Sequence, residues 1–152
     1  MTENTETTER ANVPYCLLAP EKAIGGIIGP KGETIQGIQT KSETSIDVAK
    51  RHEAGGFGEK LIVIKGDTDQ KVTAVKELAG IIYESNEDED DKSKELVLLI
   101  PATSVPLVIG SRGAKIKELQ NDSGCTIDVS KYVSFSLTKS ISLKFKVLNL
   151  DF

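Results

Sequence analysis

Hydrophobic and polar positions change their period several times over the first half of the chain. Residues 15–19 predict a short strand, and 20–28 predict a short helix, because proline at position 20 is tolerated in a first helical turn. Residues 33–41 carry apolar side chains at helical spacing, whereas 44–50 alternate apolar and polar positions as a strand does. The first four predicted elements are therefore strand, helix, helix and strand.

Two further elements follow a glycine-rich loop, RHEAGGFGE. Residues 60–66 (KLIVIKG) predict a strand, and 67–83 predict a longer helix with a capping residue among 67–69. One apolar stripe runs along that helix and comprises Val72, Val75, Leu78, Ala79 and Ile82. The predicted order is β-α-α-β-β-α.

The chain then repeats itself. IIGPKGETIQGIQTKSETSIDVAK (27–50) aligns without a gap on VIGSRGAKIKELQNDSGCTIDVSK (108–131), so that Gly29 matches Gly110, an offset of 81 positions. Identical pairs include Gln39 with Gln120, and apolar spacing is kept where identities differ. A register kept this long predicts a tandem repeat of one folding unit.

Charge marks the boundary between the two units. The net charge of −4 comes from an acidic tail over 1–13 and an acidic connector over 84–94, both of which are typical of solvated, disordered chain. The first unit, 14–83, holds nine bases and nine acids, and the second unit, 95–152, is basic. The net acidity therefore does not exclude an anionic ligand.

The second unit departs from the first after position 131. The segment YVSFSLTKSISLKFKVLNLDF alternates apolar and polar residues from 132 onward, which predicts a closing strand but no closing helix. Pro106 stands where the first unit has Gly25, which predicts a shortened helix. We expect a second copy that is truncated at its C-terminal end, with a partly open apolar face that favours self-association.

Each unit contains a loop of two glycines around a cation, GPKG in the first and GSRG in the second. Such a loop is either a plain turn or a surface for a phosphate backbone. Glycine lacks Cβ and allows close approach, and backbone amides ahead of a helix attract anions. Lys31 and Arg112 supply the formal charge for the second interpretation.

Enzyme motifs fit the chain poorly. Neither loop matches the spacing of a phosphate-binding P-loop or of a dinucleotide fingerprint, and the chain contains a single histidine. We predict no catalytic residue, no metal ligand and no cofactor. Cys16 and Cys125 lie in apolar, strand-like surroundings and are predicted to be free thiols.

The element order, the repeat and the two loops together resemble the K homology (KH) domain of the eukaryotic type. The second copy most resembles the poly(C)-binding and neuro-oncological-antigen branches of that family. The resemblance implies an α+β fold with two type I KH domains. Each would have a three-stranded antiparallel sheet with helices on one face, and the second would lack its last helix.

The resemblance also implies a binding groove in each unit. Its floor would be aliphatic and would comprise Ile24, Ile27, Ile35 and Ile46 in the first unit and Val105, Val108, Ile116 and Ile127 in the second. Its backbone clamp would comprise Gly29, Pro30, Lys31 and Gly32, and Gly110, Ser111, Arg112 and Gly113. Cations at the far strand edge would be Lys50, Arg51 and Lys131.

The function that the resemblance implies is binding of single-stranded RNA, with single-stranded DNA as a related ligand. Pyrimidine-rich or C-rich mRNA is the expected target, in post-transcriptional regulation in the nucleus or the cytoplasm. No membrane partner is expected, because no stretch is long enough to span a bilayer. The alternative is a protein-interaction adaptor in which nucleic-acid binding is weak or lost.

Overall fold

The computed structural model describes residues 13–49, 59–85, 94–135 and 138–147. Residues 1–12 of the predicted tail, most of the glycine-rich loop, the greater part of the acidic connector and the last five residues lie outside the described residues. None of the helices in the described ranges has the length and apolar character needed to cross a lipid bilayer.

The first unit has the predicted order β-α-α-β-β-α. Its elements are β1 (Tyr15–Pro20), α1 (Glu21–Ile28), α2 (Glu33–Ser42), β2 (Ser45–Val48), β3 (Glu59–Lys65) and α3 (Thr68–Ser85). Pro20 is extended and caps α1, and Glu21 follows in the first turn, where an acid suits the helix dipole. The local sequence signals therefore fix these elements.

The second unit repeats this order only in part. Its elements are β4 (Lys94–Pro101), α4 (Val105–Ile109), α5 (Ala114–Ser123), β5 (Cys125–Phe135) and β6 (Thr138–Val147). The predicted closing strand is confirmed, because β6 pairs with both β4 and β5. Helix α4 has five residues where α1 has eight, as predicted from Pro106. No described residue after Ser123 lies in a helix.

All strands form one antiparallel sheet with the order β2-β3-β1-β4-β6-β5. Each unit contributes the three antiparallel strands that were predicted, and the structure joins the two sets through β1 and β4. Leu17 pairs with Leu98, its own counterpart at the offset of 81 positions. The two halves are therefore related by a pseudo-two-fold axis at this pair. Pairing satisfies backbone groups that two free strand edges would otherwise expose.

The core of the first unit lies between the sheet and its three helices. Its buried side chains come from alternate strand positions and from one face of each helix, and they include Leu17, Ala19, Ile24, Ile27, Ile62, Ile64, Leu78 and Ile82. Leu96 of β4 belongs to the same core, so the packing continues across the β1–β4 pair. An ion pair between Lys41 and Glu77 links α2 to α3.

The buried stripe of α3 differs from the predicted one. Val72 is 40% exposed, and its neighbour Lys71 is 1% exposed. The Lys71 Nζ atom donates a hydrogen bond to the Val13 carbonyl at 2.7 Å and lies 4.4 Å from the centroid of the Tyr15 ring. A lysine can occupy this inner face because its stem packs as an apolar chain while its ammonium is paired.

The two helices of the second unit bury fewer side chains than the corresponding helices of the first unit. Helix α1 buries three residues, whereas α4 and α5 contain no fully buried residue among those described. Leu107 is 78% exposed. At the aligned position Gly26, an added Cβ would lie 3.2 Å from Ile81 of α3. The surface that α3 covers in the first unit is therefore open in the described part of the second, and self-association through it stays a prediction.

Candidate nucleic-acid interface

The two glycine loops have the same backbone conformation. Gly29 has φ 72° and ψ 178°, and its counterpart Gly110 has φ 72° and ψ −176°. Each first glycine ends a helix, with its N–H donating to the carbonyl four residues earlier at 2.9 Å. Each loop then makes a single 3-10 turn that leads into α2 or α5. Two different sequences, GPKG and GSRG, thus form one shape.

The first glycine of each loop is required by space as well as by φ. A Cβ at Gly29 would lie 2.1 Å from the Thr34 Oγ1 atom and 3.0 Å from the Thr34 N atom. A Cβ at Gly110 would lie 2.5 Å from the Lys115 Cβ atom. By contrast, a Cβ at Gly32 would meet no atom within 4 Å. The backbone at the second glycine therefore faces open space, where a ligand can approach it closely.

The cation of each loop adopts an uncommon conformation for a side-chain-bearing residue. Lys31 has φ 53° and Arg112 has φ 55°, both in the left-handed region. Both side chains are exposed, and neither forms an ion pair with another described residue. Such strain persists where the surrounding structure demands it, and it often accompanies a binding site. Both charges are available to an anion in solution.

Residues predicted for the groove floor divide into two groups by burial. Ile24, Ile27, Ile46 and Ile127 are buried in the core. Partial exposure remains at Ile35, Val105, Val108 and Ile116. The second group therefore leaves part of its apolar surface exposed to solvent, and its contact with a base stays a prediction.

Of the three cations predicted at the strand edge, the structure describes only the backbone of one. Lys50 and Arg51 lie outside the described residues. Lys131 lies in β5, where the pairing with β6 shifts register between Ser130 and Val133. Their role stays a prediction.

Strands β2 and β5 form the two edges of the described sheet. Each edge strand belongs to a unit that contains one glycine loop. The Ala49 N–H donates to the Leu61 carbonyl at 2.8 Å, which fixes the alternation of backbone bonds along β2. Asp47 therefore bonds toward β3, and the backbone groups of Ile46 and Val48 point away from it. An outward row of backbone donors and acceptors is a surface that base edges can contact.

Two glutamines that the sequence analysis did not assign to the site lie at these edges. The Ile46 N–H donates to the Gln39 Oε1 atom at 2.9 Å, and the Ile127 N–H donates to the Gln120 Oε1 atom at 3.0 Å. The signal that could have found them is their identity in the repeat alignment. Both units therefore share this contact as well as the loop.

Two described groups have a shifted pKa, and neither belongs to a glycine loop. Burial raises the pKa of the Cys16 thiol on β1. Burial and, to a smaller extent, the Cys125 thiol raise the pKa of Tyr83 on α3. The predicted free thiols are confirmed, because neither cysteine forms a disulfide. The described residues contain no group of His, Cys, Asp and Glu side chains suited to a metal ion.

A comparison with protein families finds one matching segment in each of the two repeated units. A family model described as the KH domain matches residues 15–80 and 95–139. The chain is 27% identical over 127 residues to the RNA-binding protein Pasilla of Drosophila melanogaster, with 76% of this chain covered. It spans 16% of the length of that relative.

Two of the similar solved structures come from Pyrococcus horikoshii. A complex of a/eIF2alpha, aDim2p and rRNA from Pyrococcus horikoshii is 20% identical and has a TM-score of 0.38, covering 91% of this chain and 79% of that chain. Dim2p alone, from the same organism, is 18% identical with a TM-score of 0.36, covering 87% and 80%. The match to the KH family model extends over both repeats and includes both glycine loops. The chain belongs to the KH domain family.

Proposed function

We propose that this chain binds single-stranded RNA through one groove in each KH unit, without catalysing a reaction. The observation that supports this most is the repeated loop, which has the same strained shape in both units and carries one exposed cation that forms no ion pair with the described residues. In KH domains a GxxG loop clamps the backbone of about four nucleotides. The name of the relative Pasilla describes an RNA-binding protein, which agrees with this proposal.

In this mechanism, the loop and the edge strand contact different parts of the nucleotide. A phosphate binds at the start of α2, against the open backbone at Gly32 and beside Lys31. The base then lies over Ile35, and its edge meets the outward backbone groups of Val48. Gly113, Arg112, Ile116 and Val129 take the same places in the second unit. Positioning thus comes from phosphate contacts, and sequence preference comes from the edge strand.

The proposed ligand is pyrimidine-rich, in particular C-rich, and the proposed role is post-transcriptional regulation of mRNA in the nucleus or the cytoplasm. A narrow groove between a glycine loop and an edge strand accommodates one-ring bases more readily than two-ring bases. The resemblance of the second copy to the poly(C)-binding branch supports the same preference.

We expect a C-rich oligonucleotide to bind at least about tenfold more tightly than a purine-only oligonucleotide of equal length. Fluorescence anisotropy over a series of salt concentrations measures both affinities. The logarithm of affinity should fall linearly with the logarithm of salt for both ligands, because phosphate contacts release counterions. Equal affinities for the two oligonucleotides would contradict the pyrimidine preference, and absence of salt-dependent binding would contradict the function itself.

A further inference from the structure

The same side-chain to backbone bond occurs in both units and joins a helix to the edge strand that follows it. Gln39 on α2 accepts from the Ile46 N–H at 2.9 Å, and Gln120 on α5 accepts from the Ile127 N–H at 3.0 Å. The helices, strands and partners correspond at the offset of 81 positions. The strand residues 46–48 and 127–129 are identical in the two units, whereas the helices that carry the glutamines differ at most positions, so the kept glutamine indicates a requirement of the unit.

This bond uses one specific backbone donor. The Ile46 N–H points away from β3, toward the open side of the edge strand, because the bonds to β3 alternate through Asp47 and Ala49. The Gln39 Oε1 atom therefore accepts from a backbone N–H that would otherwise face a ligand. The next outward groups along β2 are the N–H and C=O of Val48. In β5 the corresponding groups belong to Val129, because Ile127 is the residue bonded to glutamine.

The orientation of the glutamine amide follows from chemistry. Only Oε1 can accept from a backbone N–H, so the amide must turn this atom to the strand. That contact ties the strand to the middle of the helix whose first turn follows the glycine loop. The distance between the phosphate clamp and the outward backbone groups is then fixed by one helix and one hydrogen bond.

We propose that Gln39 and Gln120 are positioning residues that fix which backbone groups of the edge strands face a bound base. Each glutamine accepts the hydrogen bond of the outward N–H at Ile46 or Ile127. The outward backbone groups of Val48 or Val129 are then the ones that contact the base. This inference rests on the proposed function. It adds that base preference, and not only folding, depends on the two glutamines.

The test compares variants of the full chain in which both glutamines change together. Gln39→Met with Gln120→Met keeps the side-chain length and removes the acceptor. Gln39→Glu with Gln120→Glu keeps an acceptor and adds charge. Gln36→Met, on the exposed face of α2, is the matched control. Each chain is measured for urea unfolding, for hydrogen exchange at Ile46 and Ile127, and for affinity toward C-rich and purine-only oligonucleotides.

We expect the methionine variant to exchange both amides faster and to lose about fivefold of its preference for the C-rich ligand, the size of effect that one hydrogen bond supplies. Its salt dependence should be unchanged, because the loop cations remain. The glutamate variant should keep the preference, although its overall affinity falls. If the methionine variant does not fold, Gln39→Asn with Gln120→Asn, which is too short to reach the strand, replaces it with the same expectation.

Three distinguishable results would count against the inference. An unchanged base preference in a folded methionine variant with faster amide exchange would show that the bond only stabilises the fold. Absence of oligonucleotide binding by the unsubstituted chain would overturn the proposed function and this inference with it. A loss of preference in the Gln36→Met control would also count against it.

Discussion

A chain that carries Pro30→Asp, Lys31→Asp, Ser111→Asp and Arg112→Asp should fold normally but bind C-rich single-stranded RNA at least about 100-fold more weakly. The substitutions replace both loop cations and place four carboxylates where the phosphates are proposed to lie. All four side chains are exposed. Aspartate also tolerates the left-handed conformation at the two cation positions. The free energy of unfolding should therefore change little.

The control for this prediction uses the repeat itself. Pro30→Ser with Lys31→Arg turns the first loop into the sequence of the second and should leave the affinity within about twofold, because the two loops share one backbone shape. Circular dichroism and urea unfolding check the folds, and fluorescence anisotropy measures binding. Retention of affinity by the folded four-aspartate chain would show that the loops are plain turns.

The second large effect should come from joining two binding motifs in one oligonucleotide. The two proposed grooves border β2 and β5, the outermost of the six described strands, which places them roughly 24 Å apart at ordinary strand spacing. The pseudo-two-fold axis at the Leu17–Leu98 pair makes the grooves run in opposite directions. A single RNA strand can therefore fill both only if its spacer spans the sheet and turns back.

We expect two C-rich tetrads with a sufficient spacer to bind about 100-fold more tightly than one tetrad, because the second contact becomes intramolecular. A series of spacers from none to about a dozen nucleotides should show weak binding at the short end and a maximum at an intermediate length. Ser111→Asp with Arg112→Asp in the second loop alone should abolish the gain. Equal affinity for every spacer length would contradict the arrangement of the two grooves.

The loops and the element order could be predicted because local sequence determines them. Proline before α1, helical spacing in α2 and alternation in β6 are each visible within a few residues. The repeat strengthened the prediction, since a loop of this kind occurs once in each unit, in the same frame.

Other features depend on contacts that local patterns do not encode. The β1–β4 pair is a backbone contact between distant segments, and Leu17 and Leu98 show only that both strands are apolar. Lys71 is a charged residue on a buried face, which a hydrophobic pattern excludes. The glutamine bonds to the edge strands depend on where each helix lies against its sheet. Identity in the alignment marks Gln39 and Gln120, but it does not reveal their partners.

The central claim is that both glycine loops and both edge strands contact one single-stranded RNA ligand. A titration of the ¹⁵N-labelled chain with C-rich RNA, followed by amide resonances, tests it most directly. The account predicts the largest shifts at Gly29, Lys31, Gly32 and Val48 and at Gly110, Arg112, Gly113 and Val129, with small shifts in α3. Shifts confined to α3 and the exposed surface around Leu107, or no shifts at all, would contradict it.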